Sequence, residues 1–153
     1  MKAARAEESA TMRMLQAIAN QDVRIIAVVV NQRAISRPPK DSEEIYRQAM
    51  ARAVNRLVER FPTIEIYLDR RYTNEKLRYL LEKRIREAIQ DLPQKIVLIR
   101  QENSSARKEL QAADAVAWAF FQKYERSDTL FYDLIASKVI MEELINEQDW
   151  KKR

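Results

Sequence analysis

The apolar positions of the chain switch between two periods. From Ala6 to Asn20, Met12, Leu15, Ile18 and Ala19 recur at three- and four-residue intervals, the mark of an amphipathic helix. Val23 to Asn31, VRIIAVVVN, is apolar at every position from Ile25 to Val30, as expected of a strand covered on both faces. Gln32 to Ser42 holds the Pro38-Pro39 pair and reads as a loop. Asp41 or Ser42 can cap a helix from Glu43 to Phe61, with Ile45, Ala49, Ala53 and Leu57 on one side. Pro62 closes it. Ile64 to Asp69 then alternates: Ile64, Ile66 and Leu68 point one way, Glu65, Tyr67 and Asp69 the other.

Thr73 or Asn74 caps a helix to about Gln90, with Leu77, Leu80, Leu81, Ile85 and Ala88 inward. Lys95 to Arg100, KIVLIR, predicts a third strand, again doubly covered. Ser104 or Ser105 can cap the helix that follows, and a last helix is expected from about Asp128 to Glu147, before the basic tail Trp150-Lys-Lys-Arg. Three strands alternating with about five helices predict an α/β layer fold with right-handed crossovers. Two strands read as covered on both faces, yet the chain opens on a helix, so the first strands of the sheet are expected to be missing.

The stretch Leu110 to Tyr124, LQAADAVAWAFFQKY, carries the first chemical hint. Leu110, Ala113, Ala117, Phe120, Phe121 and Tyr124 fall on one helical face, expected to be the core face. Asp114 lies at its edge, between Phe121 and Trp118. An ionised carboxylate on a core face needs a partner, which is an Arg, a backbone amide or a metal ion. Asp69 is the second acid in view. It ends a strand that leads into a crossover helix, and functional groups in open α/β sheets gather at the carboxyl ends of strands. Two carboxylates meeting there can hold a divalent ion that positions phosphate oxygens and activates water. Arg70, Arg71 and Lys108 are placed to meet a phosphate backbone. Taken alone, the two arginines and the Lys76–Arg86 helix, where Lys and Arg alternate with Glu75, Glu82 and Glu87, read as solvated charge.

Composition narrows the chemistry further. The chain has no Cys, so disulfides and thiolate metal sites are excluded, and no His, so imidazole bases and ligands are excluded. With Asp and Glu as the remaining ligands, Mg²⁺ or Mn²⁺ is the expected metal. There is no Gly either, which removes the glycine-rich nucleotide-binding loops. The net charge of +5 permits a polyanionic partner without demanding one. No apolar run is long enough to cross a bilayer, and Met1-Lys2 is not followed by a signal-peptide core, so a soluble cytoplasmic protein is expected.

Ser105-Ala-Arg-Lys-Glu-Leu-Gln-Ala-Ala-Asp114, continuing as AVAWAFFQKYER, resembles the last motif of a prokaryotic family, the domain-of-unknown-function family numbered thirty-eight hundred. IYLDRR, ending in Asp69-Arg70-Arg71, resembles its internal strand–Asp motif. AVVVNQR is similar to its earlier strand and FYDLIASKVI to its closing helix. The resemblance spans nearly the whole chain. It implies a single ribonuclease H-like domain over residues 1–153, a three-layer fold incomplete at its N-terminus. The family usually opens on a strand with an Asp-Glu-Ser-Gly motif, whose Asp would be the first acid of the site, and this chain has no such segment. Asp69 and Asp114 would then be two acids of a site normally built from three or four.

Three functions follow. One is a divalent-metal-dependent phosphodiesterase acting on nucleic acid, with Asp69 and Asp114 as catalytic metal ligands and Arg70, Arg71 and Lys108 holding substrate. Another is a catalytically silent module that binds nucleic acid or protein, and a third is a structural subunit. A sheet flank deprived of its strands is expected to favour a homo-oligomer.

Overall fold

In this computed structural model the described residues are 2–31, 43–70, 72–93, 95–103, 105 and 107–145, with side chains from Glu7 onward. The expected 32–42 loop, the candidate caps Asp41, Ser42 and Ser104, Arg71 and the Trp150-Lys-Lys-Arg segment lie outside them. The chain is α/β: α1 (Lys2–Ala19), β1 (Ile25–Val30), α2 (Glu43–Arg60), β2 (Thr63–Asp69), α3 (Glu75–Ile89), β3 (Ile96–Glu102), α4 (Lys108–Arg126), α5 (Leu130–Ile135), a 3-10 turn (Ala136–Lys138) and β4 (Val139–Ile145). It divides into two compact units. One comprises Met1–Ile25 with Asn103–Ile140, the other Ile26–Glu102 with Met141–Arg153.

The second unit is built on one strand–helix–strand element, β2–α3–β3. β2 and β3 run parallel, from Thr63 opposite Ile96 to Asp69 opposite Glu102, and parallel neighbours need a crossover, here α3. The alternation of β2 sets Ile66 and Leu68 inward, where they meet Val54 and Val58 of α2 and Leu81, Ile85 and Ile89 of α3 in one core cluster. Burial of these apolar side chains is the dominant favourable term for the unit. Two polar contacts fix the helices beside each other: Asn55 Nδ2 donates to the Ala88 carbonyl at 2.7 Å, and Arg84 Nε lies 3.5 Å from Glu44 Oε1. Asn74 caps α3 as expected, its Oδ1 accepting from the Lys76 and Leu77 amides at 2.8 and 3.3 Å. Each such cap satisfies amides that have no partner inside the helix.

Two expectations are corrected here. The apolar run of β3 is covered on one face, not both. Both helices pack on the Val97 and Ile99 side, leaving Ile96 64% and Leu98 53% exposed. A continuous apolar run does not reveal how many layers cover it. The second correction concerns the segment after Asp128, expected to be one helix. It is helical only to Ile135, turns through Ala136–Lys138, and becomes a fourth strand paired with β1. The β-branched Val139 and Ile140 favour that extension. Farther along, Glu143 receives hydrogen bonds from Arg52 Nη1 and Arg56 Nε of α2, both at 3.0 Å, which secures β4 to α2.

The other unit is helical, with α1, α4 and α5 packed on one another. Leu15 of α1 and Ala119 of α4 are fully buried. Trp118 meets Phe131 edge-on, with centroids 4.4 Å apart, and Phe120 meets Tyr132 at 5.3 Å. Arg107, not Ser105, occupies the cap position of α4, in extended backbone and without a side-chain cap hydrogen bond of its own. Ser127 ends α4 in the left-handed region at φ 54° and ψ 31°. A chain without glycine must place a side-chain-bearing residue at this termination. Asp128 N donates to the Gln122 carbonyl at 3.0 Å and completes the turn.

Candidate functional site

The carboxyl edge of β2 and β3 gathers polar side chains. Paired residues of neighbouring strands share a face, so Asp69 and Glu102 stand side by side at the end of the outer, uncovered face. The Arg70 amide donates to the Glu102 carbonyl at 2.7 Å and carries the pairing one step past Asp69. Asp69 and Arg70 are exposed, and Glu102 is half-buried. Tyr67 and Arg100 form the next outer-face rung back, and both donate to Glu65 Oε1, the Arg100 Nε at 2.8 Å and the Tyr67 hydroxyl at 2.6 Å. On the inner face, the Gln101 amide nitrogen donates to the Arg78 carbonyl at 3.0 Å, while its buried oxygen has no hydrogen-bond partner among the described residues.

Asp114 belongs to the other unit, and its expected orientation is corrected. It is exposed, as are Ala113, Ala117, Phe121 and Tyr124, whereas the buried residues of α4 are Leu110, Ala115, Ala119, Phe120 and Gln122. The cause is the alanine-rich composition: with apolar residues on most sides, periodicity does not choose a face, and the ring contacts with α5 do. Asp114 lines a groove of about 840 Å³ between α1 and α4, together with Glu7, Glu8, Thr11, Gln111 and Trp118. Lys108 is exposed in the first turn of the same helix.

Asp69 with Arg70 therefore lies in one unit, Asp114 with Lys108 in the other, and the joint role of Asp69 and Asp114 stands as the sequence's expectation. Glu102 was missed. It lies two residues beyond the strand read from sequence, and only the register reveals it as the neighbour of Asp69. Asp69, Glu102 and Asp114 all have interaction partners, so none is an isolated charge. Among the described residues, no group of three or more Asp or Glu side chains is placed to hold a metal ion. Two carboxylates offer hard oxygen donors, the chemistry that suits Mg²⁺ or Mn²⁺.

A second surface lies on α3. Lys76, Tyr79, Lys83, Arg86 and Gln90 recur at helical spacing and are all exposed, with Tyr79 63% exposed. Glu82 and Glu87 flank them: Arg86 Nη2 is 3.2 Å from Glu82 Oε1, and Lys83 Nζ is 4.0 Å from Glu87 Oε1. Among the described residues, no helix is long and apolar enough to cross a membrane. No family model matches the chain, nor does any curated protein or solved structure.

Proposed function

We propose that this chain is a ribonuclease H-like protein that acts on nucleic acid as a divalent-metal-dependent phosphodiesterase, with the carboxyl edge of β2 and β3 as its working end. The observation that carries the reading is the register that sets Asp69 beside Glu102 with Arg70 next in line. The two carboxylates would hold Mg²⁺ or Mn²⁺. Such an ion polarises a phosphoryl oxygen and lowers the pKa of a bound water. Arg70 supplies a cation for a neighbouring phosphate, and its planar donors match phosphate geometry.

A silent nucleic-acid-binding module is the second reading, and the α3 surface favours it. An exposed tyrosine among Lys76, Lys83 and Arg86 offers a stacking face within reach of cations. The acids flanking the cations lower the net charge of the stripe, so binding there depends on Tyr79 more than on charge.

The test is calorimetric titration of the full chain with Mn²⁺, alongside binding and cleavage of single-stranded and duplex oligonucleotides. The phosphodiesterase reading expects Mn²⁺ uptake and Mn²⁺-dependent cleavage, both lost in Asp69→Asn and in Glu102→Gln. Oligonucleotide binding that survives those substitutions, needs no metal and falls in Tyr79→Ala identifies the silent module. With neither metal uptake nor oligonucleotide binding, both readings fail.

A further inference from the structure

We infer that Tyr72 and Gln101 are positioning residues for the Asp69–Glu102 edge, each fixing from the core side the strand end that carries one of the two carboxylates. The inference rests on the reading of that edge as the working end. Each residue acts through the backbone beside it, not by contact with an ion or a substrate.

Asp69 and Arg70 are exposed, so packing of their own side chains does not hold the end of β2 in place. Tyr72, two residues past Arg70, is 8% exposed and belongs to the core cluster with Leu68, Leu81 and Ile85. Its ring meets Tyr46 of α2 edge-on, with centroids 6.4 Å apart, and its hydroxyl donates to Glu43 Oε2 at 2.6 Å. That is the short length of a hydroxyl bonded to a carboxylate. The chain leaving β2 is thus tied to the first turn of α2 before Asn74 opens α3. On β3, Gln101 lies opposite Leu68 and directly precedes Glu102. Its bond to the Arg78 carbonyl ties that strand end to the start of α3.

Both side chains interrupt the apolar surface to which they belong. Val97 and Ile99 precede Gln101 on the inner face of β3, and Tyr72 packs among aliphatic side chains. A core that needed only volume would be filled as well by Phe at 72 and Leu at 101. Burying a polar group costs free energy unless it is hydrogen-bonded, and the bonds made here supply a direction that apolar contacts do not. Direction matters at this edge. A metal ion accepts its ligands within a narrow geometry, so what supports the ligands counts nearly as much as the ligands.

Tyr72→Phe and Gln101→Leu keep the volume and remove the directed bond. The Arg70 amide donates to the Glu102 carbonyl, so its hydrogen exchange reports on both strand ends at once. It should exchange about tenfold faster in Tyr72→Phe, the worth of one hydrogen bond to a charged group, and faster by a smaller factor in Gln101→Leu. Glu43→Gln keeps an acceptor and should keep most of the protection. Leu81→Ala is the control for general loosening. It should speed exchange at Ile85, within α3, and leave Arg70 as in wild type, because a local opening of the edge does not release Leu81. Calorimetric titration of the full chain with Mn²⁺ gives a second reading. Affinity should fall about tenfold in Tyr72→Phe, as when the support of a metal ligand is lost, and stay unchanged in Leu81→Ala. Circular dichroism confirms that each variant is folded. A wild-type chain that takes up no Mn²⁺ removes the phosphodiesterase reading, and the inference then stands or falls on Arg70 exchange alone. Arg70 exchange indifferent to both Tyr72→Phe and Gln101→Leu overturns it. So does a Mn²⁺ affinity unchanged in Tyr72→Phe, or one that falls equally in Leu81→Ala.

Discussion

Replacing Glu143 by Gln should loosen the last strand from the helix beside it, by an amount the structure bounds. The carboxylate accepts from Arg52 Nη1 and Arg56 Nε, each at 3.0 Å, and the three side chains are only about a quarter exposed. Pairs on an open surface contribute roughly 0.2–1 kcal/mol, and breaking a buried pair costs about 3–5 kcal/mol. This cluster lies between. Gln keeps the shape and one acceptor but not the charge, and Arg56 keeps a contact to Glu59 at 3.2 Å, so a loss of about 1–2 kcal/mol is expected. For a cooperative unit of 60–100 residues this is a fall of roughly 4–16 °C in Tm.

The pH dependence of this contribution follows from the same contacts. Burial by itself pushes the Glu143 carboxyl up, but the hydrogen bonds and charges of Arg52 and Arg56 outweigh it and hold the group below its ordinary value of 4.5. A carboxyl depressed by folding adds stability that is complete above its unfolded value. That stability shrinks as the pH falls from 4.5 through the lower folded value, and below it is gone. Urea unfolding followed by far-ultraviolet circular dichroism, repeated from neutral pH into the acid limb, measures both effects. Wild type and Glu143→Gln should differ at neutral pH and converge in acid. A difference under about 0.3 kcal/mol at neutral pH, or one that persists unchanged in acid, refutes the reasoning.

Three further outcomes are expected from the same unfolding assay. Leu81→Ala removes a fully buried side chain from between α3 and the β2–β3 sheet and should destabilise by about 2–5 kcal/mol. Asn74→Ala deletes an acceptor shared by two amides of α3 and should cost about 1 kcal/mol. Ser127→Gly relieves a left-handed backbone at the end of α4 and should gain up to about 1 kcal/mol, with no gain if that conformation carries no strain.

Some elements were decided by their own residues. The strict alternation of Ile64, Ile66 and Leu68 decided β2 and its inner face, and Leu81, Ile85 and the Asn74 cap decided α3. Short period-2 and period-3.6 segments with clear stop signals carry their own answer, because local geometry and burial agree there. Val139–Ile145 did not. Val139 and Ile140 lean toward strand while Met141 to Leu144 suit a helix, and pairing with β1 together with two arginines on α2 selected the strand. The face of α4 was likewise undecided, since alanine on most sides gives no direction until Trp118 and Phe120 find Phe131 and Tyr132. That packing turned Asp114 outward. The neighbour of Asp69 was also beyond the sequence's reach, because register is a relation between strands: only pairing Thr63 with Ile96 brings Glu102 beside Asp69.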